Sequence, residues 1–177
     1  MVKYVIVNGL PTAGKDLFAS FCVKKLEERG KNATVISSVD FVKEVARFCG
    51  WNGEKTPENR KFLSDVKDLL TTWGDVPFRK VIDAAEDFDG VCRMMGSTED
   101  SWVFVMMREP TEIGRFVALT GAATVFIDRK AAEGTQSNHA DAQVKDYNYD
   151  WYIDNNSTIE QLDVTAEELV NHLLKSE

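Results

Sequence analysis

No stretch of this chain constrains its fold more than Gly9-Leu-Pro-Thr-Ala-Gly14-Lys15-Asp16. It has the spacing G-x-x-x-x-G-K. It sits between a short apolar run, Lys3-Tyr-Val-Ile-Val7, and a segment, 15–29, with Leu17, Phe18, Phe21, Cys22 and Leu26 at helical spacing. A buried strand that runs into a glycine-rich turn and then a helix aims loop amides and the helix N-terminus at an anion. Glycines at 9 and 14 permit backbone conformations and a close approach that a side chain would block. Lys15 adds a positive charge for the β and γ phosphates of a nucleotide. Gly9, Thr12, Ala13, Gly14, Lys15, Asp16 and Leu17 therefore form the candidate phosphate cradle. The Ser or Thr that usually follows such a lysine is here Asp16, whose carboxylate can hold magnesium directly or through water. Leu17 offers no hydroxyl.

Downstream, strand and helix signals alternate. Ala33-Thr-Val-Ile-Ser37, Ser101-Trp-Val-Phe-Val-Met-Met107, Ala123-Thr-Val-Phe-Ile-Asp128 and Trp151-Tyr-Ile-Asp154 read as four further strands. Helices are expected over 40–49, from a Thr56 cap with Pro57 at the first position to about Trp73, over about 76–88, from Glu112 to Leu119, and from a Thr165 cap to about Lys175. The helix after Thr56 is expected to bury Phe62, Val66, Leu69, Leu70 and Trp73 as one stripe. Short apolar strands alternating with helices predict an α/β domain, a parallel sheet covered on both faces. Ligands bind at the carboxyl ends of such strands, where the long non-strand stretches 40–100 and 129–150 are candidate insertions.

The length of 177 residues fits one domain. Its 21 Lys+Arg against 29 Asp+Glu give a formal charge of −8, which disfavours nucleic acid and anionic membrane as partners. No apolar run is long enough to span a bilayer, and the N-terminus lacks the pattern of a signal peptide. Cys22, Cys49 and Cys92 are expected as buried, reduced thiols of a cytoplasmic protein, and the Asn155-Asn-Ser sequon is discounted on that ground.

The order of motifs resembles a known family. Gly14-Lys15-Asp16 is similar to the phosphate loop (P-loop) of bacteriophage-type deoxynucleoside monophosphate kinases and, more distantly, of animal-type phosphomevalonate kinases. Arg108-Glu-Pro-Thr-Glu112-Ile, a helix, and then Gly121-Ala-Ala-Thr-Val-Phe-Ile resemble that family's "R-F-P-N-E" and "G-G-x-x-x-x-I" segments. Ser137-Asn-His139-Ala-Asp141 is similar to its "H-x-S-E". Tyr149-Asp150 through Asn155 to Leu162 resembles its "F-D-x-x-I-x-N-x-G-T-x-x-x-L" ending, and Thr56-Pro57, Arg60, Leu63 and Trp73-Gly74 resemble its substrate-side helix.

The resemblance implies a three-layer P-loop NTPase fold with a five-stranded parallel sheet, an acceptor-binding helical region at about 40–100 and a lid-like region at about 129–150. It implies ATP- and Mg²⁺-dependent phosphoryl transfer to a small phosphorylated acceptor, most of all a (deoxy)nucleoside monophosphate. Such transfer is mainly positioning and charge stabilisation. Lys15 would cradle the donor phosphates, Arg108 would face the acceptor or the transferring group, Arg129 and Lys130 would be lid cations, and Asn155 would lie near the adenine. A homodimer is compatible with this reading. The family's acidic residue just before the arginine is Met106 here, which cannot organise magnesium. The alternatives are therefore a kinase of another phosphorylated metabolite and a nucleotide-binding protein with little or no transfer.

Other candidates carry two readings each. Arg60 and Lys67 share a helix face and either meet an acceptor phosphate or form a solvated surface. Arg47 and Arg79 divide the same way. Asp40 either contacts an acceptor hydroxyl or a metal, or caps the next helix. His139 and Asp141 are either ligands or exposed loop residues. Glu112 is either a structural partner for a cation or a backbone amide, or a catalytic base. Trp51 either packs or stacks on a base.

Overall fold

The computed structural model describes residues 1–54, 56–134 and 143–175. Five strands, β1 (Val2–Gly9), β2 (Asn32–Ser37), β3 (Ser101–Met106), β4 (Ala123–Asp128) and β5 (Trp151–Asp154), alternate with six helices. These are α1 (Lys15–Glu27), α2 (Asp40–Phe48), α3 (Pro57–Gly74), α4 (Val76–Met94), α5 (Pro110–Thr120) and α6 (Ile159–Lys175), with a 3-10 turn at Lys130–Ala132. The strands form one parallel sheet in the order β2-β3-β1-β4-β5. Val5 pairs with Phe104 on one side and Ala123 on the other, so the strand that feeds the glycine-rich loop lies in the centre.

Burial on both faces explains why the central strands β1, β3 and β4 carry unbroken apolar runs rather than alternating ones. Val5, Ile6, Val7, Val103, Phe104, Val105, Val125 and Ile127 are all fully buried. On one face α1 packs against α6, joined at its edge by Lys25 with Asp163 (2.9 Å) and by Arg29 with Asn171 (3.1 Å). On the other, Phe116 of α5 meets Tyr4 of β1 and Phe78 of α4 in edge-to-face contacts at 5.2 and 5.7 Å. The strands and the first two helices lie within a few residues of their expected positions.

The remaining helices differ in instructive ways. Thr56 caps α3 as expected, its hydroxyl accepting the Asn59 amide at 3.2 Å. The expected stripe of α3 is only partly covered: Leu69 and Trp73 are 68% and 79% exposed. The reason is placement, since α3 packs on α2 and α4 rather than over the sheet and offers them a narrow contact. The α4 helix continues past Phe88 to Met94, held by the Asp89 carboxylate, which accepts the Ser101 hydroxyl at 2.6 Å. The α6 helix begins at Ile159, six residues earlier than expected from Thr165. Thr158 accepts the Gln161 amide at the start (3.3 Å), whereas the Thr165 hydroxyl donates to Gln161 O within the helix. Of the cysteines only Cys22 is buried; Cys49 is exposed and Cys92 is partly so. No helix among the described residues is long and apolar enough to cross a membrane.

Candidate active site

The loop after β1 closes tightly on itself. The Ala13 amide donates to Leu10 O at 3.1 Å, and the Phe18 amide to Gly14 O at 2.9 Å begins α1. Gly9 and Gly14 have φ of +149° and +97°. A Cβ on Gly9 would strike Ile127 O of β4, and one on Gly14 would strike the Asn155 amide nitrogen. Both glycines are thus fixed by space as well as by backbone conformation. Thr12, at φ +64°, is the non-glycine residue of this loop in the left-handed region.

Lys15 is nearly buried, and its ammonium donates to Gly9 O (2.8 Å) and Leu10 O (2.7 Å). The cation therefore lies across the mouth of its own loop. Asp16 and Leu17 follow in the first turn of α1, both exposed. Two residues from distant sequence support the loop from the β4–β5 side. Asn155 donates its side-chain amide to Ala13 O at 2.8 Å, and Arg129 donates to Thr12 O at 3.3 Å. Asn155 thus packs under the loop backbone. The structure brings Gly9, Thr12, Ala13, Gly14, Lys15, Arg129 and Asn155 together at the carboxyl end of the central strands. Arg108 follows β3 on the other side of β1, with its backbone O accepting from Asn8 at 3.0 Å.

The acceptor-side candidates are more dispersed. Asp40 opens α2, accepting the Ser37 amide (2.8 Å) and the Lys43 ammonium (2.9 Å). It lines a cleft of about 160 Å³ between the end of β2, α2 and α4, together with Glu44, Lys80, Asp83 and Asp87 over Phe41 and Val81. Arg47 lies on α2 with its guanidinium 5.6 Å from the Trp51 ring. Trp51 itself donates to Glu54 O at 3.0 Å. Arg60 and Arg79 are exposed on α3 and α4.

Lys67 is placed differently. It is buried, and its ammonium binds Glu109 (2.6 Å) and Glu112 (2.9 Å), which pins α3 to the start of α5. Burial pushes the Lys67 ammonium down, but Glu112 and Glu109 outweigh it and hold it above its ordinary value. Burial raises the Glu112 carboxyl, Lys67 opposes this only in part, and Glu109 adds to the rise. One cation thus serves two carboxylates. Glu112 is a cation partner, as its residue type suggested. His139 and Asp141 lie outside the described residues.

Sequence reasoning missed three groups. Asn8 is fully buried immediately before the loop, and Tyr149 reaches it from the chain leading into β5. A lone polar residue in an otherwise apolar strand was the available signal for Asn8. Asp128, next to the Ile127 carbonyl that touches Gly9, has a buried Oδ1 with no hydrogen-bond partner among the described residues, and the Lys145 ammonium lies 3.7 Å from it.

The loop runs into the N-terminus of α1, and its two glycines leave bare backbone beside Ile127 and Asn155, the local geometry that suits an anion. Magnesium is commonly held by one or two carboxylates plus ligand phosphates; the carboxylate next to Lys15 is Asp16, which is exposed. Met106 contributes no oxygen on β3. Among the described residues no cluster of three acidic, His or Cys side chains is arranged to hold a metal by itself.

Solved P-loop kinases share this fold. A gluconokinase from Sinorhizobium meliloti 1021 superposes over 98% of this chain and 94% of its own, with a TM-score of 0.52 and 13% identity. The Mycobacterium tuberculosis APS kinase CysC, in complex with AMPPNP and APS, covers 97% of this chain and 96% of its own, with a TM-score of 0.50 and 17% identity. No family model matches the sequence, and no curated protein matches it.

Proposed function

We propose that this chain is an ATP- and Mg²⁺-dependent kinase that transfers a phosphoryl group to a small phosphorylated acceptor, a (deoxy)nucleoside monophosphate by resemblance of its motifs. The observation that carries the reading is the glycine-fixed loop with Lys15 across its mouth, at the end of the central strand of a β2-β3-β1-β4-β5 sheet. In this reading the loop amides bind the donor phosphates. Lys15 exchanges its two backbone carbonyls for phosphate oxygens, so that the same ammonium donates to anionic instead of neutral acceptors. Asp16 holds the magnesium, which supplies neutralisation of phosphate charge. Arg129, tethered to Thr12 O, and Arg108, on the far side of β1, flank the transferring group and stabilise the charge that spreads over it. Arg47, Arg60 and Arg79 are the cations on the acceptor side. Lys67 serves the fold, since its ammonium is already committed to Glu109 and Glu112. Residues 1–177 act as one domain, with 40–100 on the acceptor side and 129–150 as the lid-like region.

A second reading changes the acceptor. The cleft beside β2 carries Asp40, Glu44, Asp83 and Asp87 against a single Lys80, a balance that repels a phosphate and suits a hydroxyl-rich acceptor. The superposed gluconokinase gives that class a concrete member to assay.

The deciding experiment measures ATP consumption with Mg²⁺ against all common ribo- and deoxynucleoside monophosphates, phosphomevalonate, dephospho-coenzyme A, APS and gluconate. Stimulation by a nucleoside monophosphate supports the first reading, and stimulation by gluconate alone supports the second. ATP bound without turnover for any acceptor indicates a binding protein in which Met106 has cost the activity. ATP neither bound nor consumed refutes the phosphate-loop assignment.

A further inference from the structure

One fully buried polar side chain faces the loop and takes no part in the chemistry proposed above. Asn8, the penultimate residue of β1, spends its whole amide on three separate segments. Its Oδ1 accepts the Gly9 amide at 2.8 Å. Its Nδ2 donates to Arg108 O at 3.0 Å and to the Tyr149 hydroxyl at 2.6 Å. The Tyr149 hydroxyl donates onward to Val144 O at 2.8 Å. The orientation of this amide is fixed by its partners, because rotating it would set N–H against the Gly9 N–H and oxygen against the Arg108 carbonyl.

Tyr149 is only 4% exposed, and its ring packs on Phe126 and Tyr147, each at 5.1 Å between centroids. A buried phenol inside an aromatic cluster has little freedom, so its hydroxyl is a fixed point. The chain of bonds therefore joins the first amide of the phosphate loop, the backbone of the arginine after β3, and the segment that returns toward β5. These are three of the elements that surround the loop, and no apolar residue at position 8 would tie them.

We infer that Asn8 and Tyr149 are positioning residues: together they hold the glycine-rich loop and the Arg108 backbone in the arrangement that a polyphosphate meets. The inference rests on the kinase reading only for the identity of that ligand. A hydrogen bond of this kind contributes about 0.5–1.5 kcal/mol net, so removing it should loosen the tied segments by a factor of about 2–12. Pre-organisation of a site appears directly in affinity, because the cost of ordering is no longer charged to the ligand.

The test uses the full chain and two variants, Tyr149→Phe, which deletes one oxygen from a buried ring, and Asn8→Asp, which keeps the shape and removes the donor. Amide exchange is followed residue by residue in the free protein, and MgATP affinity is measured by calorimetry. The expected result for Tyr149→Phe is faster exchange by about fivefold, confined to Gly9, Arg108, Glu109 and the amides near Val144, with MgATP binding weakened to a similar degree. Asn8→Asp should speed exchange at Arg108, Glu109 and the amides near Val144 more strongly, while the Gly9 amide, whose acceptor oxygen it keeps, stays protected. Unchanged exchange at those amides, or faster exchange spread evenly over the sheet, would overturn the inference and leave the pair with a merely structural part. If the unaltered chain does not bind MgATP, the kinase reading fails, while the local exchange pattern still decides the positioning role.

Discussion

Replacing Lys67 by Met tests the physics of the α3–α5 junction. The side chains of Lys67 and Glu112 are 10% and 8% exposed, and Glu109 lies on the same ammonium. Met fills the space of the lysine stem but leaves the buried Glu112 carboxylate without its cation and beside the half-buried Glu109. Removing one partner of a buried pair costs about 3–5 kcal/mol. At about 2–4 °C per kcal/mol for a domain of this size, the melting temperature should fall by roughly 6–20 °C. The loss must depend on pH, with a definite sign. The Glu112 carboxyl is raised in the folded state, so its contribution to stability is fully present below the unfolded value and is lost as pH rises through the folded one. In Lys67→Met the main influence that lowers it is gone, so the folded value climbs further and the window of loss moves toward neutral pH. Urea unfolding followed by circular dichroism should therefore show a small penalty near pH 5 and the full penalty near pH 8. The double variant Lys67→Met/Glu112→Gln should recover much of the difference at pH 8. A penalty under about 1 kcal/mol at pH 8, or one that does not change with pH, would refute the reasoning.

Lys15→Ala should reduce phosphoryl transfer by at least about 100-fold in steady-state assays while the circular dichroism spectrum is retained. Gly14→Ala should abolish MgATP binding in calorimetry and lower stability by about 1–3 kcal/mol, since it combines a +97° φ with a clash against Asn155. Thiol titration should find Cys49 reactive in the native state and Cys22 reactive only on unfolding, because burial pushes the Cys22 thiol up to about 12. Trp73→Gln should change stability by no more than about 0.5 kcal/mol in urea titration, as expected for a side chain that is 79% exposed.

The sheet was legible because every strand is an apolar run bounded by turn residues, and β4 and β5 begin and end at the expected residues. The tight turn between β1 and α1 was legible because its requirement is local: two glycines and a lysine between a strand and a helix. What escaped depends on partners far along the chain. Leu69 and Trp73 have helical spacing, yet the stripe cannot announce that α3 lies off the sheet. Lys67 reads as a surface cation until Glu109 and Glu112 are brought to it across more than forty positions. Asn155 could be placed near a nucleotide by resemblance, but its bond to Ala13 O requires the β5 edge to stand beside α1. The start of α6 was missed because Thr158 and Thr165 are equally good caps in sequence, and only packing distinguishes them.

The central place of β1 has a consequence for how the chain is made. Val2 pairs with Ser101 and Val5 with Ala123, so both neighbours of the first strand are synthesised about a hundred residues after it. At about 5–20 residues per second, the emerging polypeptide carries this strand, with its Val5-Ile6-Val7 run, unpaired for roughly 5–20 seconds. Through that interval α1 is the nearest available cover, and the glycine-rich loop has no β4 backbone to close against. The glycine-rich loop, made early, is therefore among the last parts to take its final shape on the ribosome. Long-range parallel pairing of this kind folds slowly and leaves extended apolar segments exposed in the interval.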